Sequence, residues 1–539
     1  LCIILKHLKV MFVLAFVFLC LSSISHAAES QNQGRVLRIS NDSEPVSIDP
    51  QLCNTVESYR IVRDLFEGLV CENAEGEICP AAATSWTLSP DGKVYTFTLR
   101  DNLKWSNGDP VVAEDFVYAL RRGVDPKIAS QQSYLLLPII NAQDIIKNAR
   151  RPEELGVRAI SANTLEIRVT NPTPYLIDIL AGPIAMPVPK AVIEKFGKEW
   201  LKSGNIVSNG PYVMETWVPH ERIVLKKSQS YWDRDNVNIE KVCFIPNEFH
   251  TTAVRQFVAG EVDIAFAVPI NQFKAVAKQY SEALFTHPHL AIYFFGINID
   301  HPTFKDNPKL RRALYYAIDR KVLCEKIVLG NGEPAYTFTP PFVKGYQPPK
   351  VQLADEPYEK QLKLARQLFA DAGYSFEKPI ELTISFNTGE DHKKIAIAVA
   401  AMWKKAFNAN VTLRNEEWKV FISNLKSDVT SEIFRMGWVA NYNSPHAFLD
   451  IFASDDSSNM VRYSDKIYDG LLKQAGDILD INERHRVLSL AEERLLYAQP
   501  IIPLFFMKSR DLVSKDIEGF KPNILNRHPT KYLRFKATT

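Results

Sequence analysis

The stretch Ser85–Arg122, SWTLSPDGKVYTFTLRDNLKWSNGDPVVAEDFVYALRR, decides the reading of the fold. Pro90-Asp-Gly92 has turn chemistry: proline presets φ and glycine tolerates the left-handed region that a tight reversal needs. After it, Tyr95, Phe97 and Leu99 alternate with Thr96 and Thr98, the period-two pattern of a half-buried strand. Asp109-Pro110 then leads into Ala113–Arg121, where Phe116, Val117 and Leu120 fall on one face of a helix.

Outward from this block the elements keep changing type. Upstream, Val36, Leu37 and Ile39 form a strand candidate ended by Pro45 and Pro50, and a helix is expected from about Val56 to Phe66, before Gly68. Downstream, Lys360–Ala372 reads as a helix with Leu362, Ala365, Leu368 and Ala372 on one side and Gly373 as its cap. Ile380–Phe386 reads as a strand, Ile395–Phe407 as a helix and Asn410–Leu413 as a strand. Strand, helix, strand predicts an α/β lobe with a mostly parallel sheet. Farther on, Ser431–Asn443, SEIFRMGWVANYN, is an apolar run expected to deliver Arg435, Trp438 and Asn441 into a glycine-loosened turn, the wall of a ligand cleft.

A chain of 539 residues suggests two to four domains, and 46% hydrophobic with 23% charged residues can build substantial cores. Lys+Arg 64 against Asp+Glu 62 leaves no general basic field to hold nucleic acid or an anionic membrane. Lys6, His7 and Lys9 precede an apolar run from Val10 to Leu21 and the small residues up to Ala28, which is the layout of a secretory signal peptide cleaved after Ala27 or Ala28. Leu19 stands before Cys20 where a lipid-anchoring site needs a small residue, so a free, exported, periplasmic protein is expected. Cleavage leaves Cys53, Cys71, Cys79, Cys243 and Cys324, an odd number that allows at most two bridges. Cys71 and Cys79 flank the polar tip Glu72–Glu77 and could be bridged across a hairpin, or remain buried thiols.

Catalysis has no visible basis. There is no His-Glu-x-x-His, no Gly-x-Ser-x-Gly elbow and no Walker loop, and Gly330-Asn-Gly332 lacks the third glycine of a nucleotide fingerprint and reads as a turn. His287 and His289 share a strand face and could touch a metal, but without further ligands they read as surface or core residues. No enzyme, no cofactor and no metal site are expected.

The Ser85–Arg122 block resembles the oligopeptide-binding proteins of bacterial ABC importers, extracellular solute-binding protein family 5. The likeness continues through Ser208-Asn-Gly-Pro-Tyr212, Trp217, Glu221–Leu225, Tyr231-Trp232 and Phe257–Asp263. Leu310–Leu314, Ile318-Asp-Arg320, Tyr336–Pro341, Asn387–Lys394, Glu417-Trp-Lys419 and Gly437-Trp438 extend it over essentially the whole mature chain. The resemblance implies a two-lobed α/β periplasmic binding protein fold of class II, or cluster C, with an extra inserted N-terminal domain. Carried onto this chain it gives residues 1–28 as signal peptide, 30–67, 186–290 and 508–539 as a discontinuous lobe I, 68–185 as the inserted domain and 291–507 as lobe III. Extended connections near Leu290 and Met507 would then serve as the hinge. Partners implied are a peptide or peptide-like ligand and an inner-membrane ABC permease, with a monomer as the receptor.

The same resemblance names the cleft. Family members meet the ammonium of a peptide with an aspartate and its carboxylate with basic side chains, since neither charge leaves water unpaired. Arg435 and His392 match basic positions, Trp438 and Trp418 match aromatic walls of side-chain pockets, and Gly437 and Val439 complete the candidate strand. The departure is Asn441, where the family pattern places the amine-binding aspartate; Asn54, near a second acidic contact, is neutral too. At 4 Å and an effective dielectric near 20 the lost attraction is about 4 kcal/mol before compensation. Either the ligand lacks an exposed α-ammonium (a cyclised, acylated or non-peptide compound such as a murein fragment, glutathione, an opine or haem), or another acid such as Glu432, Asp450 or Glu57 has taken over. The sequence leans to the first.

Overall fold

The computed structural model describes residues 34–427, 432–456 and 458–537, so the expected signal peptide at 1–28 lies outside the described residues. A seven-stranded, a six-stranded and a four-stranded sheet carry the described chain. The seven-stranded sheet runs Leu284–Phe285, Asp511–Val513, Ile264–Ala265, Val36–Ser40, Lys241–Ile245, Arg222–Lys227, Tyr212–Val218. It therefore collects strands from the start, middle and end of the chain around Val36–Ser40, whose Leu37 and Ile39 are buried as the alternation predicts. Its neighbouring motif, Ser208–Tyr212, needs its glycine: a Cβ on Gly210 would stand 2.6 Å from the Leu65 carbonyl carbon, at the end of the helix Val56–Leu65.

The four-stranded antiparallel sheet, Ala83–Leu88, Val94–Leu99, Thr164–Arg168 and Val157–Ser161, belongs to the block read first. Tyr95, Phe97 and Leu99 point to the core, as do Phe116, Val117 and Leu120 of the helix Ala113–Val124. The same helix presents buried Arg122, whose Nη1 donates to Asp49 Oδ1 at 2.6 Å and to Gln51 Oε1 at 2.7 Å. Gln51 in turn donates to the carbonyls of Ile184 and Met186. A charge taken out of water is thus paired and hydrogen-bonded, and it ties the helix to the segment after the first strand.

The six-stranded sheet runs Gly332–Pro334, Ile501–Lys508, Pro288–Ile297, Ile433–Val439, Glu381–Asn387, Asn410–Glu416. The expectation of a mostly parallel sheet fails. Glu381–Asn387 is parallel to Asn410–Glu416 and to Ile433–Val439, but the pairs made by Pro288–Ile297 and Gly332–Pro334 are antiparallel. The local succession over 381–416 encodes its own parallel crossover, whereas the direction of partners more than a hundred residues apart is set by chain path and leaves no local periodicity. Pro288–Ile297 is apolar at nearly every position because both faces are covered. Leu290, Ile292 and Phe294 enter one core, and Tyr293, Phe295 and Ile297 enter the other.

The chain passes between the two large sheets at His287 and Ser509, close to Leu290 and Met507. The crossings lie side by side: Phe285 pairs with Asp511 in one sheet and Pro288 with Lys508 in the other. Between them Ser509 N donates to His287 O at 3.0 Å, and Ser509 Oγ lies 2.7 Å from His287 Nδ1. Burial pushes His287 down and takes His289 to about 4, so both imidazoles are neutral here. No group of three or more metal-type ligands occurs among the described residues. Cys71 and Cys79 sit directly opposite in the hairpin Val70–Glu72/Ile78–Pro80, with Sγ atoms 3.2 Å apart as an unbridged pair; Cys53, Cys243 and Cys324 are buried.

Candidate ligand cleft

The strand Ile433–Val439 frames the site. Gly437 was expected in a turn; it lies mid-strand, opposite Tyr293, and the turn comes only after Ala440. Its role is room: a Cβ there would lie 3.3 Å from Arg435 Nη2. Successive residues of a strand face opposite sides, so Arg435 and Gly437 share one face and Trp438 lies on the other. What the sequence joined as one cleft wall is therefore two surfaces.

On the first surface Arg435 lies over the Tyr293 ring, 4.9 Å from its centroid, and Nη1 donates to Asn387 Oδ1 at 3.1 Å. Arg435 Nε is buried without a partner. His392, near the start of the helix Glu390–Phe407, places Nδ1 3.2 Å from the Tyr293 hydroxyl. Burial, reinforced by the Arg435 charge, holds the His392 imidazole down at about 3, and burial raises Tyr293 to about 12. The positive charge of this surface thus rests on Arg435, with His392 as a neutral hydrogen-bonding group. Beyond Phe434 the strand also loses its parallel neighbour, because pairing with Glu381–Asn387 stops at Ser385↔Phe434. Val439 (46% exposed) and Trp418 (51% exposed) stand in the open; Trp418 starts the helix Trp418–Lys426.

The second surface is a cavity of about 760 Å³ between residues 134–179, attached to the four-stranded sheet, and residues 438–476, which follow the six-stranded sheet. Trp438 and Asn441 line it. Trp438 Nε1 donates to Ala447 O at 2.6 Å, which fixes the indole in the wall, and Asn441 Nδ2 donates to the Tyr134 hydroxyl at 2.7 Å. The Asn441 carbonyl accepts from Arg527 Nη2 at 2.7 Å, and Arg527 Nη1 pairs with Glu72. The loop after Ile433–Val439 is thereby tied to Tyr134 on one side and to Arg527 on the other. Behind it Tyr175 stacks on Tyr442 at 5.3 Å and lies against His446 at 4.7 Å. Trp438 also borders a smaller apolar cavity of about 200 Å³ lined by Phe294, Phe434, Met436 and Met460.

Of the sequence candidates, Arg435, Gly437 and His392 gather around Tyr293, and Trp438 and Asn441 gather in the cavity. Asn54 does neither: it donates to Gln131 Oε1 at 2.6 Å and lines none of these cavities. Of the acids named as substitutes, Glu432 accepts from Thr383 N at 2.6 Å and Glu57 from Ser43 Oγ at 3.0 Å, both away from the cavity; Asp450 lines it. Tyr134, Tyr175 and Asp456 were missed. Tyr134 is in a short 3-10 turn, Tyr175 precedes a five-residue helix, and neither carries a sequence pattern that marks it.

Residues 77–460 match the family model of bacterial extracellular solute-binding proteins, family 5 Middle. The chain belongs to this family. It is 38% identical over 514 residues to the periplasmic murein peptide-binding protein MppA of Escherichia coli (strain K12), covering 93% of this chain and 94% of that protein. The solved structure of the Escherichia coli murein tripeptide binding protein MppA superposes with a TM-score of 0.83 at 35% identity, covering 93% of this chain and 98% of that one. The Haemophilus influenzae OppA complex with RPPGFSPFR superposes with a TM-score of 0.81 at 34% identity, covering 93% and 98%. The fold is thus the two-lobed α/β fold of these solute-binding proteins, and the relatives are binding proteins rather than enzymes.

Proposed function

We propose that this chain is the exported, periplasmic receptor of an ABC importer, and that it encloses a peptide or peptide-like solute and hands it to an inner-membrane permease. The observation that carries this reading is the strand Ile433–Val439. Its ladder with Glu381–Asn387 ends at Phe434, so the stretch Arg435–Val439 offers a backbone edge to an extended chain, flanked by a guanidinium on one face and a cavity on the other. Adding a strand to an open edge gives a peptide main-chain hydrogen bonds without regard to its side chains, which the flanking spaces then sort. Arg435, with a buried unpartnered Nε, is suited to the ligand's carboxylate.

The lobes are proposed as 30–67, 186–290 and 508–539 for lobe I, 68–185 for the inserted domain and 291–507 for lobe III. Sheet membership supports this division, and the paired crossings at His287 and Ser509 are where closure would bend the chain. The partner ATPase supplies the free energy of transport, so the receptor needs no covalent step and acts as a monomer. Native mass spectrometry of the protein as secreted tests the reading: a retained peptide-sized ligand, exchangeable for added tripeptide, is expected. A protein that neither carries nor takes up any peptide would overturn it.

A further inference from the structure

We infer that Asp450 and Asp456 form the subsite for an ammonium group of the ligand, in place of the neutral residue at 441. The inference rests on the peptide-receptor reading above. From sequence, Asn441 favoured a ligand without a positive end; the side chains around it reverse that preference.

The charged residues lining the 760 Å³ cavity are Asp144, Asp450, Asp456 and Lys473; Asp144 is paired with Arg150 at 3.0 Å, which leaves Asp450 and Asp456 against Lys473. Among the described residues neither Asp450 nor Asp456 is paired with a lysine or arginine. Asp450 Oδ1 lies 3.0 Å from His446 Nδ1, and Asp456 Oδ1 accepts from Ser458 N at 2.7 Å; both carboxylates keep capacity for another donor. Asp456 is raised above its ordinary value, chiefly by burial, against the hydrogen bonds from Ser458, with smaller contributions from the charges of Asp450 and Asp455; a cation bound beside it would favour its ionised form.

A second observation is independent of the acids. His446, only 4% exposed, lines the same cavity, and its Nε2 is buried with no partner. A buried donor or acceptor left unmet is costly, and a polar ligand group that reached Nε2 would relieve that cost. The remaining lining suits a cation as well. Tyr134, Tyr175, Tyr442 and Trp438 line the same space, and an aromatic lining attracts an ammonium more strongly once water is excluded. Asn441, with Nδ2 committed to Tyr134, keeps its amide oxygen as an acceptor. Arg435 lies on the opposite face of the strand, so a ligand spanning both surfaces has its negative end at Arg435 and its positive end among these aspartates.

The ammonium could be the α-amine of a peptide or the side chain of a basic residue, and the test separates them. Calorimetry on ligand-stripped protein would use Ala-Ala-Ala, Lys-Ala-Ala, and the N-acetylated form of each. At least one ammonium-bearing peptide is expected to bind about tenfold or more tightly than N-acetyl-Ala-Ala-Ala. Full affinity for N-acetyl-Lys-Ala-Ala assigns the subsite to a side chain, and full affinity only for the free amines assigns it to the α-amine. Asp450→Asn and Asp456→Asn should each shrink the preference several-fold, and adding Asn441→Asp should restore it, a rescue that a merely structural role would not give. Equal binding of blocked and free peptides, or a preference that the variants leave unchanged, overturns the inference while leaving the peptide reading intact. Failure of every peptide to bind overturns both.

Discussion

The two faces of the strand Ile433–Val439 differ in how they are built. The Arg435 face is assembled within the six-stranded sheet and the helix beside it: Tyr293, Asn387 and His392 are held by backbone whose pairing is fixed strand to strand. The Trp438 face is assembled across the fold, with Tyr134 and Tyr175 brought to Trp438, Asn441 and Asp450 from a different sheet. A recognition group that must meet an invariant part of a ligand gains from a rigid seat; a wall made of loops that follow two different sheets can change its charge without disturbing the strands of either. A loop position such as Asn441, where the family pattern puts an aspartate, can therefore carry a neutral side chain while Arg435 keeps its seat in the strand.

The largest test of this contrast is Arg435→Ala. Removing a charge-assisted bond to a carboxylate is expected to cost about 2–3 kcal/mol, a loss of roughly 30- to 150-fold in affinity for peptides with a free C-terminus. Titration with the matching C-terminal amides, which should bind wild type and variant alike, shows whether the carboxylate is the partner. Asn441→Asp comes next: a carboxylate can accept from the Tyr134 hydroxyl, and it should tighten free-amine tripeptides about tenfold at low salt and less at high salt. A gain that is insensitive to ionic strength would mean that the substitution acts by reshaping the loop.

The crossings between the sheets are expected to respond to acid more gently. His289, held down at about 4 chiefly by burial and further by the neighbouring Arg527 charge, takes a proton in the unfolded chain near 6.5 but resists it when folded. Its contribution therefore lowers stability as pH falls from about 6.5 towards 4, where the unfolded state binds more protons. His289→Asn should flatten the dependence of the thermal midpoint on pH across that window, and an unchanged slope would exclude His289 as its source. Smallest of all, Trp418→Ala should change stability by about 0.5 kcal/mol or less, because 51% of the residue is already in solvent. If Trp418 walls a side-chain pocket, the same variant should lose affinity only for peptides with large apolar residues, which a comparison of Ala- and Phe-containing tripeptides measures.

Much of the fold was legible because its elements are locally consistent. Tyr95, Phe97 and Leu99 alternate into the core, and the helix Tyr358–Asp371 buries Ala365 and Leu368 as its spacing requires. Sheet direction was not legible, since Pro288–Ile297 finds antiparallel partners at 433–439 and 501–508. For the site, the resemblance picked out Arg435, His392 and Trp438, but it treated Arg435 and Trp438 as one wall. Reading Ile433–Val439 as a strand would have separated them by parity; the glycine at 437 suggested a turn instead.

By itself the sequence determined the kind of elements and the family, because hydrophobic period, turn chemistry and motif order are properties of neighbouring residues. Only the tertiary structure decided which of those side chains face one another. The cavity depends on segments three hundred residues apart meeting across two sheets, and that Asp450 lines it with Asn441 while Glu432 and Glu57 lie elsewhere is a matter of where folded backbone carries a charge.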